Sequence, residues 1–138
     1  MLPGSAPEPV PGFLARLRFQ SADVPALMGH LRECVAVLAT YDGFVDARLA
    51  RAIDDDRIIV MDMGWATVGA YRRALSSYEV KVAVVPVISQ AIDEATAFEV
   101  LHVTDSAGVV DAAGALAADA HSVSLGEASA GFVPPAPS

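Results

Sequence analysis

The chain has 138 residues, enough for one hydrophobic core and too few for two independent ones. Hydrophobic residues make up 54% of it, which excludes disorder throughout, and a formal net charge of −8 is the wrong sign for binding nucleic acid or an anionic membrane surface. One cysteine, Cys34, permits no internal disulfide and no CxxC metal pair, which points to a reducing, cytoplasmic setting.

Residues 1–12 contain Pro3, Pro7, Pro9 and Pro11 and read as a flexible arm with no basic-then-apolar signal sequence. Phe13 to Gln20 alternates and predicts the first strand. Phe13, Ala15, Leu17 and Phe19 lie on one face, and Leu14, Arg16, Arg18 and Gln20 on the other. Ser21 or Asp23 then caps a helix with Pro25 in its first turn. Its apolar stripe runs through Val24, Leu27, Met28, Leu31, Val35 and Leu38. Tyr41 and Asp42 end it, with Gly43 as a left-handed stop.

Phe44 to Ile53 and Arg57 to Trp65 predict two strands of a hairpin turned by Asp54, Asp55 and Asp56. Three consecutive carboxylates diverge, so this cluster reads as a solvated turn, and no metal site is expected. Thr67 caps a helix with Val68, Tyr71 and Leu75 on one face, broken by Ser76 and Ser77. Tyr78 to Ile92 is helical but kinked or split by Pro86. The longest apolar run, Val82 to Ile88, falls far short of the roughly 20 residues of a membrane span.

Ala97 to Thr104 alternates again and predicts a last strand carrying Phe98, Val100 and His102 on one face. Beyond it an Ala/Gly/Ser-rich extension, 106–138, holds a weak helix near Val109 to Ala120 and a loose end. Residues 13–105 therefore form the expected domain.

The order strand, helix, strand, strand, helices, strand is that of a ferredoxin-like α+β fold: a four-stranded antiparallel sheet with helices on one face. The third strand is apolar on both sides, with Ile59, Met61, Met63 and Trp65 against Ile58 and Val60. Its uncovered face is expected to meet the same face of a second copy, making a homodimeric α+β barrel around an apolar cavity.

This order, the Asp42-Gly43-Phe44 turn entering the second strand, and a third strand ending in Trp65-Ala66-Thr67 before a short helix resemble the antibiotic biosynthesis monooxygenase family of dimeric α+β barrels. The resemblance spans about residues 13 to 104. It implies cofactor-independent monooxygenation of a small aromatic or hydroquinone-like compound, with dioxygen as co-substrate and no metal. In the quinone-forming branch a tryptophan and a tyrosine six positions later border the substrate, and Trp65 and Tyr71 stand at that spacing. That branch also uses an asparagine and an arginine. This chain has no asparagine, Met61 stands in its place, and the arginine position falls near Val85. The asparagine and histidine of the haem-degrading branch are likewise missing.

Trp65 and Tyr71 are accordingly the candidate catalytic pair, the indole stacking on a flat ring and the phenol donating to its oxygen. Arg16 and Arg18 could support a phenolate or carboxylate, or form interface ion pairs with Asp46, Asp62 or Glu99. His102 is the candidate base, or else a hydrogen-bonded core residue. Met61 and Met63 share the parity of Trp65 and would flank the ligand, or simply fill the core. His30, His121 and Cys34 carry no expected chemistry. The alternative function is a non-oxidative cyclase or isomerase, or a non-catalytic small-ligand-binding dimer on the same fold.

Overall fold

The computed structural model describes residues 10–110. Most of the Pro-rich arm, all but Val109 and Val110 of the expected Ala-rich helix, and His121 lie outside the described residues, and Val109 and Val110 are in a strand.

β1 (Phe13–Gln20) buries alternate side chains, the expected Phe13, Ala15, Leu17 and Phe19. α1 (Val24–Leu38) starts where Asp23 accepts a hydrogen bond from the Ala26 amide at 3.1 Å, with Pro25 in its first turn. Leu27, Leu31, Cys34 and Leu38, at helical spacing, are its buried line, while Met28 and Val35 lie half-buried along its flank. Burying each large aliphatic side chain in such a line stabilises by about 1.5–3 kcal/mol.

α1 gives way to β2 (Phe44–Arg51) through Gly43, whose φ of +92° favours glycine. A bulge at Val45 interrupts pairing between β2 and β3 (Ile58–Trp65), because Phe44 faces Trp65 while Asp46 faces Gly64. Asp55 shapes the intervening turn, accepting from the Arg57 amide at 3.1 Å. The strands are two residues and one residue shorter than expected.

α2 (Val68–Leu75) is capped by Thr67, and α3 (Tyr78–Ala83) by Ser77. Pro86 lies in the first turn of a separate short helix, α4 (Val85–Ile88), so the proline splits the segment rather than bending a continuous helix. Val80 and Val84 are fully buried at the junction.

β4 spans only Ala97–Glu99, ending well before the expected Thr104. Its approach already runs along β1, with the Ile92 amide donating to the Arg18 carbonyl at 2.7 Å and the Arg16 amide to the Thr96 carbonyl at 2.8 Å. After Val100 bonds back to Gly12, the chain leaves the sheet. β5 (Val103–Asp105) then pairs with β6 (Gly108–Val110) as a separate hairpin, turned by Asp105, which accepts from the amides of Ala107 and Gly108. Alternation in the sequence fits either partner equally, so it extended the strand too far. The hairpin also crosses the expected domain boundary at 105.

The main sheet has the order β2-β3-β1-β4, all neighbours antiparallel, with helices packed on one face: the ferredoxin-like α+β fold. Register fixes which residues meet the helices. Phe13, Ala15, Leu17 and Phe19 stand opposite Trp65, Met63, Met61 and Ile59, and all eight are buried. The other face carries Leu14, Arg16 and Arg18 beside Val60, Asp62 and Gly64.

Candidate functional site

Trp65 is the last residue of β3 and is flanked across the sheet by Phe13 on β1 and Phe44 on β2. Its indole is fully buried, edge-on to Phe44 with centroids 5.3 Å apart at 87°. Tyr71, on α2, closes the group from above. Its ring lies 5.5 Å from Trp65 and 5.1 Å from Phe13.

Local chemistry sets this placement. After Trp65 the Ala66 amide donates to the Gly43 carbonyl at 2.7 Å, tying the strand end to the turn before β2. Thr67 then accepts from the Ala70 amide at 3.0 Å and starts α2. Ala70 sits directly on Gly43, where an added Cβ would come within 2.4 Å of the Ala70 Cβ. A glycine at 43 thus permits both the left-handed turn and the close seating of α2, which delivers Tyr71 to the indole.

Two polar groups mark the cluster. The Trp65 Nε1–H is buried and has no hydrogen-bond partner among the described residues. Such an orphaned donor costs about 1–3 kcal/mol, and it is the kind of group that binds an acceptor oxygen. The Tyr71 hydroxyl is pushed above its ordinary pKa by burial, so near neutral pH it is a proton donor and not a base. Met61 and Met63 lie beneath on the same face, both fully buried.

The remaining predicted residues lie elsewhere. Arg16 and Arg18 are on the opposite face, exposed, Arg16 donating to Asp62 at 3.0 Å and Arg18 to Glu94 at 2.8 and 2.9 Å. Asp62 was an expected partner, whereas Glu94, in the loop before β4, was not. His102 lies outside the strands, exposed, with Nε2 at 2.6 Å from the Thr104 hydroxyl. The structure therefore brings Trp65, Tyr71, Met61 and Met63 together and leaves the two arginines and His102 apart from them. Phe13 and Phe44 complete the cluster. Phe13 was read on the face opposite Arg16 and Arg18, but its position opposite Trp65 depends on a pairing register that the chain's own alternation does not specify.

A second feature lies on the same helix-facing side of the sheet, toward the β2 edge. A groove of about 430 Å³ runs between α1 and β2, lined by Met28, Arg32, Val35, Ala47 and Leu49. The signal for it was present as Arg32 set four residues after Met28 on the edge of the helix stripe. No group of three or more metal-binding side chains comes together among the described residues, and none of their helices is long and apolar enough to cross a membrane.

The sequence matches no protein-family model and no curated protein. Solved structures do share its fold. SnoaB, a cofactor-independent oxygenase from Streptomyces nogalater, superposes with a TM-score of 0.57 at 24% identity, over 66% of this chain and 94% of that one. A variant of SnoaB with one asparagine changed to alanine gives 0.55 at 23%, over 64% and 89%. A Nitrosomonas europaea protein, a candidate antibiotic biosynthesis monooxygenase, gives 0.52 at 11%, over 64% and 98%. At these identities the likeness is one of fold, and it is the fold the sequence resemblance implied.

Proposed function

We propose that this chain is a cofactor-independent monooxygenase of the antibiotic biosynthesis type, which oxidises a small hydroxyaromatic or hydroquinone-like compound with dioxygen. The observation that carries this reading is the Trp65–Tyr71 pair, 5.5 Å apart between sheet and helices, with an unpartnered indole N–H on a fold shared with a cofactor-independent oxygenase.

The substrate supplies most of the chemistry. An anthrone-like ring system, having lost a proton to water, passes one electron to dioxygen, and the substrate radical and superoxide then combine to form a carbon–oxygen bond. The resulting peroxide anion takes a proton. Loss of water then breaks the O–O bond and removes the remaining C–H proton, so that one oxygen stays as the new carbonyl and the other leaves as water.

The protein contributes three things. Phe13, Met61 and Met63 provide a dry apolar wall. The Trp65 N–H donates to the substrate oxygen on which the anion's charge rests. Tyr71, kept protonated by its surroundings, donates the proton to the peroxide and recovers one from solvent. Because Tyr71 is half-buried and Trp65 fully enclosed, a ring reaches the indole as the phenol turns aside. Arg16, Arg18 and His102 take no part in this scheme.

The active unit in this proposal is a homodimer joined through the uncovered sheet face. Supporting it, half-buried Leu14, Ile58 and Val60 share that face with a row of charges, Arg16, Asp62 and Arg48, standing opposite one another on three strands.

Oxygen uptake by purified protein stripped of metals with a chelator, given an anthrone or hydroquinone, tests the reading. A rate well above the protein-free control is expected, and an equal rate defeats it. Turnover without oxygen consumption would select a non-oxidative cyclase or isomerase instead, and binding without turnover a ligand-binding protein.

A further inference from the structure

We infer that the groove between α1 and β2 is a separate binding site for a small monoanionic compound with an apolar body, such as an aromatic or short aliphatic carboxylate, and that Arg32 is its charge partner. The inference stands independently of the Trp65 chemistry.

The groove exists because the buried line of α1, Leu27, Leu31, Cys34 and Leu38, points at the centre of the sheet. Met28 and Val35 are left on the helix flank facing β2, the edge strand. Ala47 and Leu49 form the floor, with Met63 and Met61 beside them on β3. Ala47 is small, and this opens the volume of about 430 Å³. That lies within the range of about 300–1,000 Å³ usual for small-molecule sites.

Four of the five lining residues are apolar and the fifth is a guanidinium. Arg32 forms no ion pair among the described residues, as is also true of Arg72 and Arg73 on α2, but Arg32 alone of these lines the groove. Arg51 lies further along the same face of β2 as Ala47 and Leu49 and is also unpaired among the described residues. On a chain of net charge −8, the unpaired Arg32 guanidinium at the edge of an apolar groove makes a local attraction for an anion. Arginine pairs bidentately with a carboxylate, while the methionine and the aliphatic walls accept a flat or linear body without a demanding shape.

The test uses 1-naphthoate and its neutral relative 1-naphthylmethanol with the full chain. Titration followed by methyl NMR is expected to move the signals of Met28, Val35 and Leu49. Calorimetry is expected to give R32Q an affinity for naphthoate about fivefold weaker than the parent, as a partly exposed ion pair predicts. Naphthylmethanol should bind parent and R32Q alike. Ala47→Phe, which fills the floor with a hydrophobic side chain, should abolish binding of both probes. The inference is overturned if naphthoate does not bind up to millimolar concentration, if its shifts centre on Trp65 and Tyr71, or if R32Q weakens both probes equally or neither.

Discussion

Trp65 and Arg16 stand on opposite faces of one sheet. Trp65 pairs with Phe13 across β1 and β3, and Arg16, three residues along β1, projects the other way toward Asp62. A substrate held against the indole is therefore screened from both strand-one arginines by the sheet itself. Arg16→Gln and Arg18→Gln should each leave the rate of the proposed oxidation within about twofold of the parent, since a charge on the far side of a packed layer adds little to transition-state stabilisation. Steady-state oxygen uptake checks this, and a large fall in kcat for either variant would return the arginines to the site.

Tyr71→Phe separates the phenol from its ring. The ring packs on Phe13 and Trp65 at 5.1 and 5.5 Å, and phenylalanine preserves both contacts. Removing a proton donor that acts at the reacting oxygen lowers the rate by about 100-fold or more. The expected result is a large loss of kcat with Tm shifted by no more than about 2 °C. Equal activity would mean the hydroxyl takes no part in the chemistry.

The sequence reading located the elements better than it located the site, for a physical reason. Helix caps at Asp23 and Thr67, the break at Ser76 and Ser77 and the interruption at Pro86 are local effects, visible in a few neighbouring residues. Trp65 and Tyr71 were paired through the family resemblance, and the strand-to-helix turn between them is what brings their rings to 5.5 Å. Which face of β3 meets the helices was not visible, since Ile58 and Val60 are nearly as apolar as Ile59 and Met61. Pairing with β1 decides it. His102 was misplaced for a related reason: alternation from Ala97 to Thr104 fits the main sheet and the outer hairpin equally, and only tertiary pairing chooses.

Gly43→Ala should be among the most damaging single-methyl changes. Its backbone sits at φ +92°, and the new Cβ would lie 2.4 Å from that of Ala70. Left-handed strain and forced displacement of α2 add, and together they are expected to cost about 2–4 kcal/mol. Urea denaturation measures the loss. Because α2 carries Tyr71, the near-ultraviolet circular dichroism of Trp65 should change in the folded variant as well, whereas Gly29→Ala, with open space around its added Cβ, should leave it unchanged.

Association through the uncovered face makes a further prediction. Val60 is half-buried between Arg18 on β1 and Ala50 on β2, near the middle of that face. In the proposed homodimer Val60→Asp places a charge in the contact without disturbing the core residues Ile59 and Met61 behind it. Sedimentation should find the parent dimeric and the variant monomeric, with the variant's far-ultraviolet spectrum retained. A monomeric parent at high concentration would remove the dimer from the proposal.

Alkaline titration tests the environment of Tyr71 directly. The chain has three tyrosines, Tyr41, Tyr71 and Tyr78, and burial raises the pKa of Tyr71. Tyr78 is 83% exposed. Absorbance near 295 nm should therefore show a late-ionising tyrosine, and Tyr71→Phe should delete that step. The sign of the stability effect follows. In the unfolded chain the phenol ionises at about pH 10, so below that pH both states are neutral there and its contribution is complete. Above it the unfolded state loses its proton first, and folding stability falls until the folded pKa is passed. The parent should thus lose more stability than Tyr71→Phe above about pH 10, while the two run parallel between pH 6 and 9. If Tyr71 instead ionises at the ordinary phenol value of about 10, the ring is open to water, and the dry pocket that the proposed oxygenation requires does not exist.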